Sequence, residues 1–420
     1  MNLLLYGLYV FFAVTTVSAV FGTAVALTFA YLLAFSCLVA FLIKRPCDRL
    51  LWSEKLGIAM VAWLIISTLF HPNYQEGIRF ILAEYRLILF WPLIALVLSD
   101  RLTSAQLWAP IVLGGCLHVI GTILLVIEKV FHHPSPLLGI QARGNPFALN
   151  GKFIQAWLVT LWSSMALFWL SWRPSKTRSF AVFCVFWLAT FSWYHSLILV
   201  DARSAFFSVS AVLLILGGVA YFRFARICKL QANLVLASTL FFACAILFLH
   251  PPSGVLTAVE NVKGFIFQGR EDTSIGMRLL LWKRCSTLAG SEMFFGVGAG
   301  GWKDALEAWF PYGTAGRPFV LWNDFHSQLI WLQVKGGLVA VLLYVGMASS
   351  ILLTSVKLLW VRKSWAVGGL GVGIFAILMV LGSMNSVFTA LREAHLTFLA
   401  MILWSSLVRG LDSYARSATG

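Results

Sequence analysis

Arg203, Arg278 and His326 are the residues of this chain whose types and surroundings suit chemistry. A guanidinium donates in pairs through a planar fork and stays protonated, so it suits an anion with several oxygens, such as a pyrophosphate. A neutral imidazole can take a proton from a hydroxyl near neutral pH. His326 ends the polar stretch Asn323-Asp324-Phe325-His326, and Asp324 is a local carboxylate able to orient the ring. Each residue also has a plainer use. An arginine at a membrane edge can snorkel to headgroups, and a lone histidine is more often a structural hydrogen-bonder. The case for chemistry rests on the set. Arg86, Arg143, Arg270, Arg284 and Arg392 can join the first two arginines, and Trp282 shares a helical face with Arg278 at i, i+4. An arginine held near membrane depth is costly and is usually retained for a partner or a function.

Two other patterns lead away from chemistry. Gly296, Gly298 and Gly301 satisfy a dinucleotide fingerprint by letter, but that fingerprint needs a strand before it and a helix after it in a βαβ unit. Neither is expected here, so the glycines are read as a tight turn that lets backbone approach a helix closely. His71, His132 and His133 lack Asp, Glu or Cys at ligand spacing, so no metal site is expected.

The frame that must position these residues follows from composition. Sixty per cent of the 420 residues are hydrophobic, 11% are charged and mean hydropathy is +0.87. Those values lie far from soluble globular usage and imply a polytopic helical membrane protein. Apolar segments long enough to span fall near 3–20, 23–43, 55–71, 79–99, 106–128, 153–172, 179–199, 204–222, 231–250, 334–356, 365–385 and 393–409. Residues 1–20 lack the basic start of a signal peptide, so they are read as an uncleaved first helix. The expected fold class is therefore all-α, with about 12 transmembrane helices and one large helical outer loop.

With the N-terminus cytoplasmic, every inner loop is short and basic, and these loops hold 16 of the 31 Lys and Arg. The remaining basic residues fall on outer loops or in spans, where topology does not require them. The chain then divides into nine spans with short loops over 1–250, a large outer loop over 251–333, and three spans with a short cytoplasmic tail over 334–420, all one integral membrane unit. The large loop holds Trp282, Trp302, Trp309 and Trp322, and such aromatic content argues for order rather than disorder. A helix-like run covers Ser274–Leu288. Of the seven cysteines only Cys285 falls on this loop, so no disulfide framework is available there.

In order along the chain, Arg203-Ser204 at the mouth of a middle helix, the Arg278-x-x-x-Trp282 helix, the turn Gly296-Val297-Gly298-Ala299-Gly300-Gly301-Trp302 and Asp324-Phe325-His326-Ser327 resemble the O-antigen ligase superfamily. That superfamily also contains O-antigen polymerases and protein O-oligosaccharyltransferases. Two departures stand out: Lys335 occupies a place before Gly336-Gly337 where the family often has an acid, and Ser327 stands where Asn is frequent. The resemblance implies a metal-independent, inverting glycosyltransferase of the bacterial inner membrane, with its active site on a periplasmic loop and no cofactor. The donor would be an undecaprenyl-pyrophosphate-linked glycan and the acceptor a sugar hydroxyl of lipid A–core oligosaccharide, giving lipopolysaccharide. Arg203 and Arg278 would hold the pyrophosphate and His326 would deprotonate the acceptor. Arg86, Arg143, Arg270 and Arg392 would contact phosphates, with Trp282 beside the substrate. Membrane lipid is an expected neighbour and nucleic acid is not. A polymerase uses the same frame. A lipid-linked glycan transporter fits less well, because transporters place polar groups near the bilayer midplane, whereas here they gather at the outer edge.

Overall fold

In lipid, a lone apolar segment can satisfy its backbone only as a helix. The computed structural model describes residues 2–21, 23–43, 50–110, 113, 210–212, 214–215, 253–313, 325, 327–360, 364–384, 387–388 and 391–417, and among them there are helices and no strand. Helices α1 (Asn2–Phe21) and α2 (Thr23–Ile43) pack together as an apolar hairpin. Helix α3 (Trp52–Leu69) turns tightly into α4 (Tyr74–Arg101). The polar loop contributes α5 (Ser253–Gln268), α6 (Ser274–Cys285), α7 (Ser291–Phe295) and α8 (Trp302–Trp309). The chain then forms α9 (Gln328–Trp360) and α10 (Trp365–Ala376), which runs on through a π-helical turn at Ile377–Leu381 to Met384. It closes with α11 (Leu391–Ser417).

Among the described residues, four helical stretches are long and apolar enough to cross a membrane: Trp52–Leu69, Tyr74–Arg101, Gln328–Trp360 and Val367–Met384. The expected segments 153–172, 179–199 and 231–250 lie outside the described residues, as do most of 106–128 and 204–222. Two boundaries differ from expectation. Helix α9 begins at Gln328 rather than near 334, because Ile330, Trp331 and Val334 bury against the loop and extend the helix beyond its lipid-matched stretch. Helix α6 stops at Cys285 rather than Leu288. Its last carbonyls are taken by hydroxyls, with Ser286 Oγ donating to Lys283 O at 2.8 Å and Thr287 Oγ1 to Arg284 O at 2.6 Å.

The bundle has two distinguishable ends. Ala299 N donates to Thr68 Oγ1 at the end of α3 (3.0 Å), so the loop sits on the end where α3 finishes and α4 starts. At the other end Arg409 of α11 donates to Glu54 of α3, both buried. Between them α9 packs on α3 and α10, and α4 on α3 and α11. Two buried indoles in this core find hydroxyl partners on facing helices. Trp91 Nε1 donates to Ser405 Oγ at 3.0 Å and Trp404 Nε1 to Ser355 Oγ at 3.1 Å. The π-helical turn disrupts the regular ladder of α10, and Tyr344 Oη donates to Leu378 O there at 2.6 Å.

A second core belongs to the loop. Leu280, Leu281 and Cys285 of α6 meet Trp302 and Leu306 of α8, Phe310, Phe325, and Ile330, Trp331 and Val334 of α9. The loop is thus folded onto the start of α9 as a cap.

Candidate active site

The cap is seated in a break in α9. Gly337 has φ +66°, a left-handed conformation that glycine alone adopts at little cost. A Cβ there would collide with the Phe294 backbone, so the break is also where α7 comes closest. Breaking a helix frees carbonyls, and each must be satisfied again. Here Val334 O accepts from Val297 N at 2.7 Å, Lys335 O from Ser67 Oγ at 3.2 Å, and Gly336 O from Trp63 Nε1 at 2.7 Å. Gln333 Nε2 returns a bond to Met293 O at 3.0 Å. Loop and bundle share one hydrogen-bonded seam.

The glycine turn does what its composition suggests. Gly296 has φ +71°, and its Cβ position lies 2.5 Å from Val334 O. A Cβ on Gly301 would meet His71 Nε2 at 2.5 Å. The turn therefore lies flush on the α3–α4 corner, and no strand accompanies it among the described residues.

The segment holding His326 is fixed on both sides. His326 itself lies outside the described residues, but Phe325 and Ser327 are both buried. The Phe325 ring meets Trp331 edge-on (4.7 Å, 89°) and lies 6.0 Å from Trp302. Gln328 is fully buried and clamps the bundle. Its Nε2 donates to Tyr85 Oη of α4 at 3.0 Å and its Oε1 accepts from Phe388 N at 2.9 Å.

Arg278 projects from α6, whose N-cap Thr273 accepts from Gly276 N at 2.9 Å. It is half-buried with its Nε shielded from solvent, and the next residues on its helix enter the loop core. Trp282, one turn further, is exposed. Arg270 is also exposed; its backbone N closes α5 onto Gly264 O at 3.0 Å and its side chain lies along Gly264. Arg86 goes elsewhere. Its guanidinium lies over the Tyr31 ring of α2 (5.4 Å), and its Nε is buried without a hydrogen bond. Arg392 belongs to the first turn of α11. Arg203 and Arg143 lie outside the described residues. The structure thus joins α6, with Arg278, to the segment flanking His326 through one aromatic core, and sets Arg86 against α2.

Sequence reasoning passed over the charge pair beneath that core. Lys335 Nζ lies 2.7 Å from Glu84 Oε2, with the lysine side chain fully buried and the glutamate 12% exposed. The ammonium also faces Trp331 at 3.6 Å and Phe80 at 3.8 Å, with Trp302 at 5.8 Å. A signal was present, since Glu84 and Lys335 are both ionisable groups in apolar surroundings, but their separation of 251 positions hid the pairing.

Cys285 is buried in the same core, and burial pushes its thiol up to about 12. Such a thiol is inert packing rather than a nucleophile. Among the described residues, no three or more His, Cys, Asp or Glu gather as a metal site.

No curated protein matches the chain. Residues 188–345 match the family model described as O-antigen ligase, a family that covers ligases and polymerases and implies lipid-linked glycan substrates. The matched stretch runs from before Arg203, through the loop and its seam, to the middle of α9, and over that stretch the chain is similar to the O-antigen ligase family.

Proposed function

We propose that this protein is an O-antigen ligase working on the periplasmic face of the bacterial inner membrane. It transfers a glycan from undecaprenyl pyrophosphate to a sugar hydroxyl of lipid A–core oligosaccharide. The observation that carries the reading is that Arg203, Arg278 and His326 all lie inside the matched region 188–345. The cap also gathers Arg278's helix into one core with Phe325, the residue before His326, and the first turns of α9.

The chemistry follows from the groups. His326 takes the proton of the acceptor hydroxyl as its oxygen attacks the anomeric carbon. The bond from that carbon to the pyrophosphate oxygen breaks on the opposite face, so configuration inverts. The electron pair leaves on undecaprenyl pyrophosphate, and fixed guanidinium groups of Arg203 and Arg278 stabilise that growing charge. Arg143, Arg270 and Arg392 contact phosphates of donor or acceptor, with Trp282 beside the sugar; Arg86, stacked on Tyr31 of α2, takes no part. A broadly basic outer surface suits a phosphate-rich acceptor, which favours ligase over polymerase.

The test is a reconstituted transfer with undecaprenyl-pyrophosphate glycan, lipid A–core and chelator, comparing wild type with His326→Ala and Arg278→Ala. Transfer that survives chelation and disappears in both variants is the expected result. Elongation of the lipid-linked glycan, with none reaching lipid A–core, would make the protein a polymerase. Full transfer by His326→Ala would remove the proposed base.

A further inference from the structure

We propose that Lys335, held by Glu84 and boxed by Phe80, Trp302 and Trp331, is a positioning residue for the transfer site. This rests on the reading of His326 as the base. The ammonium is the common floor of three packed rings, at 3.6 Å from Trp331, 3.8 Å from Phe80 and 5.8 Å from Trp302. Those rings in turn hold Phe325, the residue before His326, at 4.7 Å from Trp331 and 6.0 Å from Trp302. Trp331 N also donates to Ser327 O at 3.0 Å, tying the residue after His326 to the same ring-bearing residue. Lys335 O accepts from Ser67 and its neighbours Val334 and Gly336 accept from the cap and α3, so its backbone is fixed by the seam. The path is short: Glu84 on α4 fixes the ammonium, the ammonium fixes the indoles, and the indoles fix the segment that carries His326.

An ammonium suits this place for two reasons together. Ring faces carry negative charge density and attract a cation, and a buried cation needs a counter-charge with a good hydrogen bond. Glu84 supplies the second at 2.7 Å. The acid common in the family before Gly336 would meet the same rings with the wrong sign. Here the cation stands on α9 and its counter-charge on α4.

Three variants in the full-length protein test this: Lys335→Arg, the neutral pair Lys335→Met with Glu84→Gln, and the reversed pair Lys335→Glu with Glu84→Lys. Lys335→Arg should keep kcat within about threefold, because a guanidinium both stacks on rings and pairs with carboxylate. The neutral pair leaves no unpaired charge, so its thermal midpoint should stay near wild type. Its kcat should fall about tenfold or more with donor and acceptor KM little changed, since misplacing a reacting group by a fraction of an ångström costs rate. Hydrogen exchange in the peptide over 325–331 should quicken about tenfold in the same variant. The reversed pair should not recover activity, because its carboxylate faces the rings. A folded neutral pair with wild-type kcat and wild-type exchange would overturn the proposal, as would recovery by the reversed pair. If the neutral pair does not fold, loss of activity in a folded Lys335→Arg overturns it instead. Exchange is read without any substrate. Faster exchange in a protein that never transfers to lipid A–core would therefore sink the functional reading while leaving the positioning role in place.

Discussion

An arginine is legible in a sequence by type alone, because it stays charged wherever it is put and is costly to place near lipid. That made Arg278 a candidate, and the structure gives it a half-buried site on a helix anchored in the loop core. Arg278→Lys should keep the fold and lower kcat about 100-fold, since an ammonium cannot donate as a planar fork to developing phosphate charge. Wild-type turnover in that variant would deny it the role. Lys335 was legible only as an oddity beside Gly336-Gly337, because its meaning depends on Glu84 and three rings from other parts of the chain. Cys285 was legible as a lone thiol, but not as an inert one. With an ordinary value of 9.0 raised to about 12 by burial, it should resist maleimide near neutral pH until the protein is denatured. Its linkage has a definite sign. The folded state holds the proton longer, so the thiol's contribution is intact below pH 9.0 and is lost as pH rises from there toward 12. Fast labelling of native protein at Cys285, followed by peptide mapping, would contradict the burial that carries this argument.

Among the described residues the helices were largely readable, because length and hydropathy are local properties, whereas the break in α9 was not. Gly336-Gly337 is visible in sequence, but two glycines can lie inside a continuous transmembrane helix. What makes Gly337 a break is the Phe294 backbone pressed against it and the donors Val297 N, Ser67 Oγ and Trp63 Nε1 waiting for the freed carbonyls. Gly337→Ala must therefore either hold φ +66° with a Cβ against Phe294 or straighten the helix and release α7. The first route costs about 1–3 kcal/mol for the backbone alone, with the clash added. The expected outcome is a lower unfolding midpoint in detergent, together with faster exchange of the Val297 amide. An unchanged midpoint and unchanged exchange would show that the seam does not depend on the break. Tyr344→Phe probes the π-helical turn in the same way. It removes the donor to Leu378 O, leaves a buried carbonyl short of a bond, and should cost about 1–3 kcal/mol.

At the scale of the whole molecule, two buried ion pairs close the described bundle, one at each end. Lys335–Glu84 joins α9 to α4 beneath the cap, and Arg409–Glu54 joins α11 to α3 at the far end. Both connect the first helices to the last across sequence separations of 251 and 355, so each frames whatever the intervening chain builds. Alternation of apolar segments with short basic loops puts the start of α3 and the end of α11 on one face, and the Arg409–Glu54 contact has those two ends together. Which charges meet is a tertiary fact with no local trace: nothing beside Arg409 in the sequence points to Glu54. The far-end pair differs from the near one in its company. Glu54 also accepts from Leu51 N at 2.9 Å, so it closes the start of α3 as well as pairing with Arg409. Removing one member of a buried pair leaves the other charged and unanswered, which typically costs about 3–5 kcal/mol, whereas replacing both with apolar groups of similar volume is often neutral. Glu54→Gln should therefore lower the unfolding midpoint sharply while leaving the transfer assay unaffected in whatever fraction stays folded. Adding Arg409→Met should restore most of the midpoint. The residual deficit then measures the Leu51 cap, because the substituted side-chain amide keeps an acceptor there but brings no charge to the helix start. If Glu54→Gln with Arg409→Met is as unstable as Glu54→Gln alone, the cap dominates that end of the bundle and the ion pair contributes little.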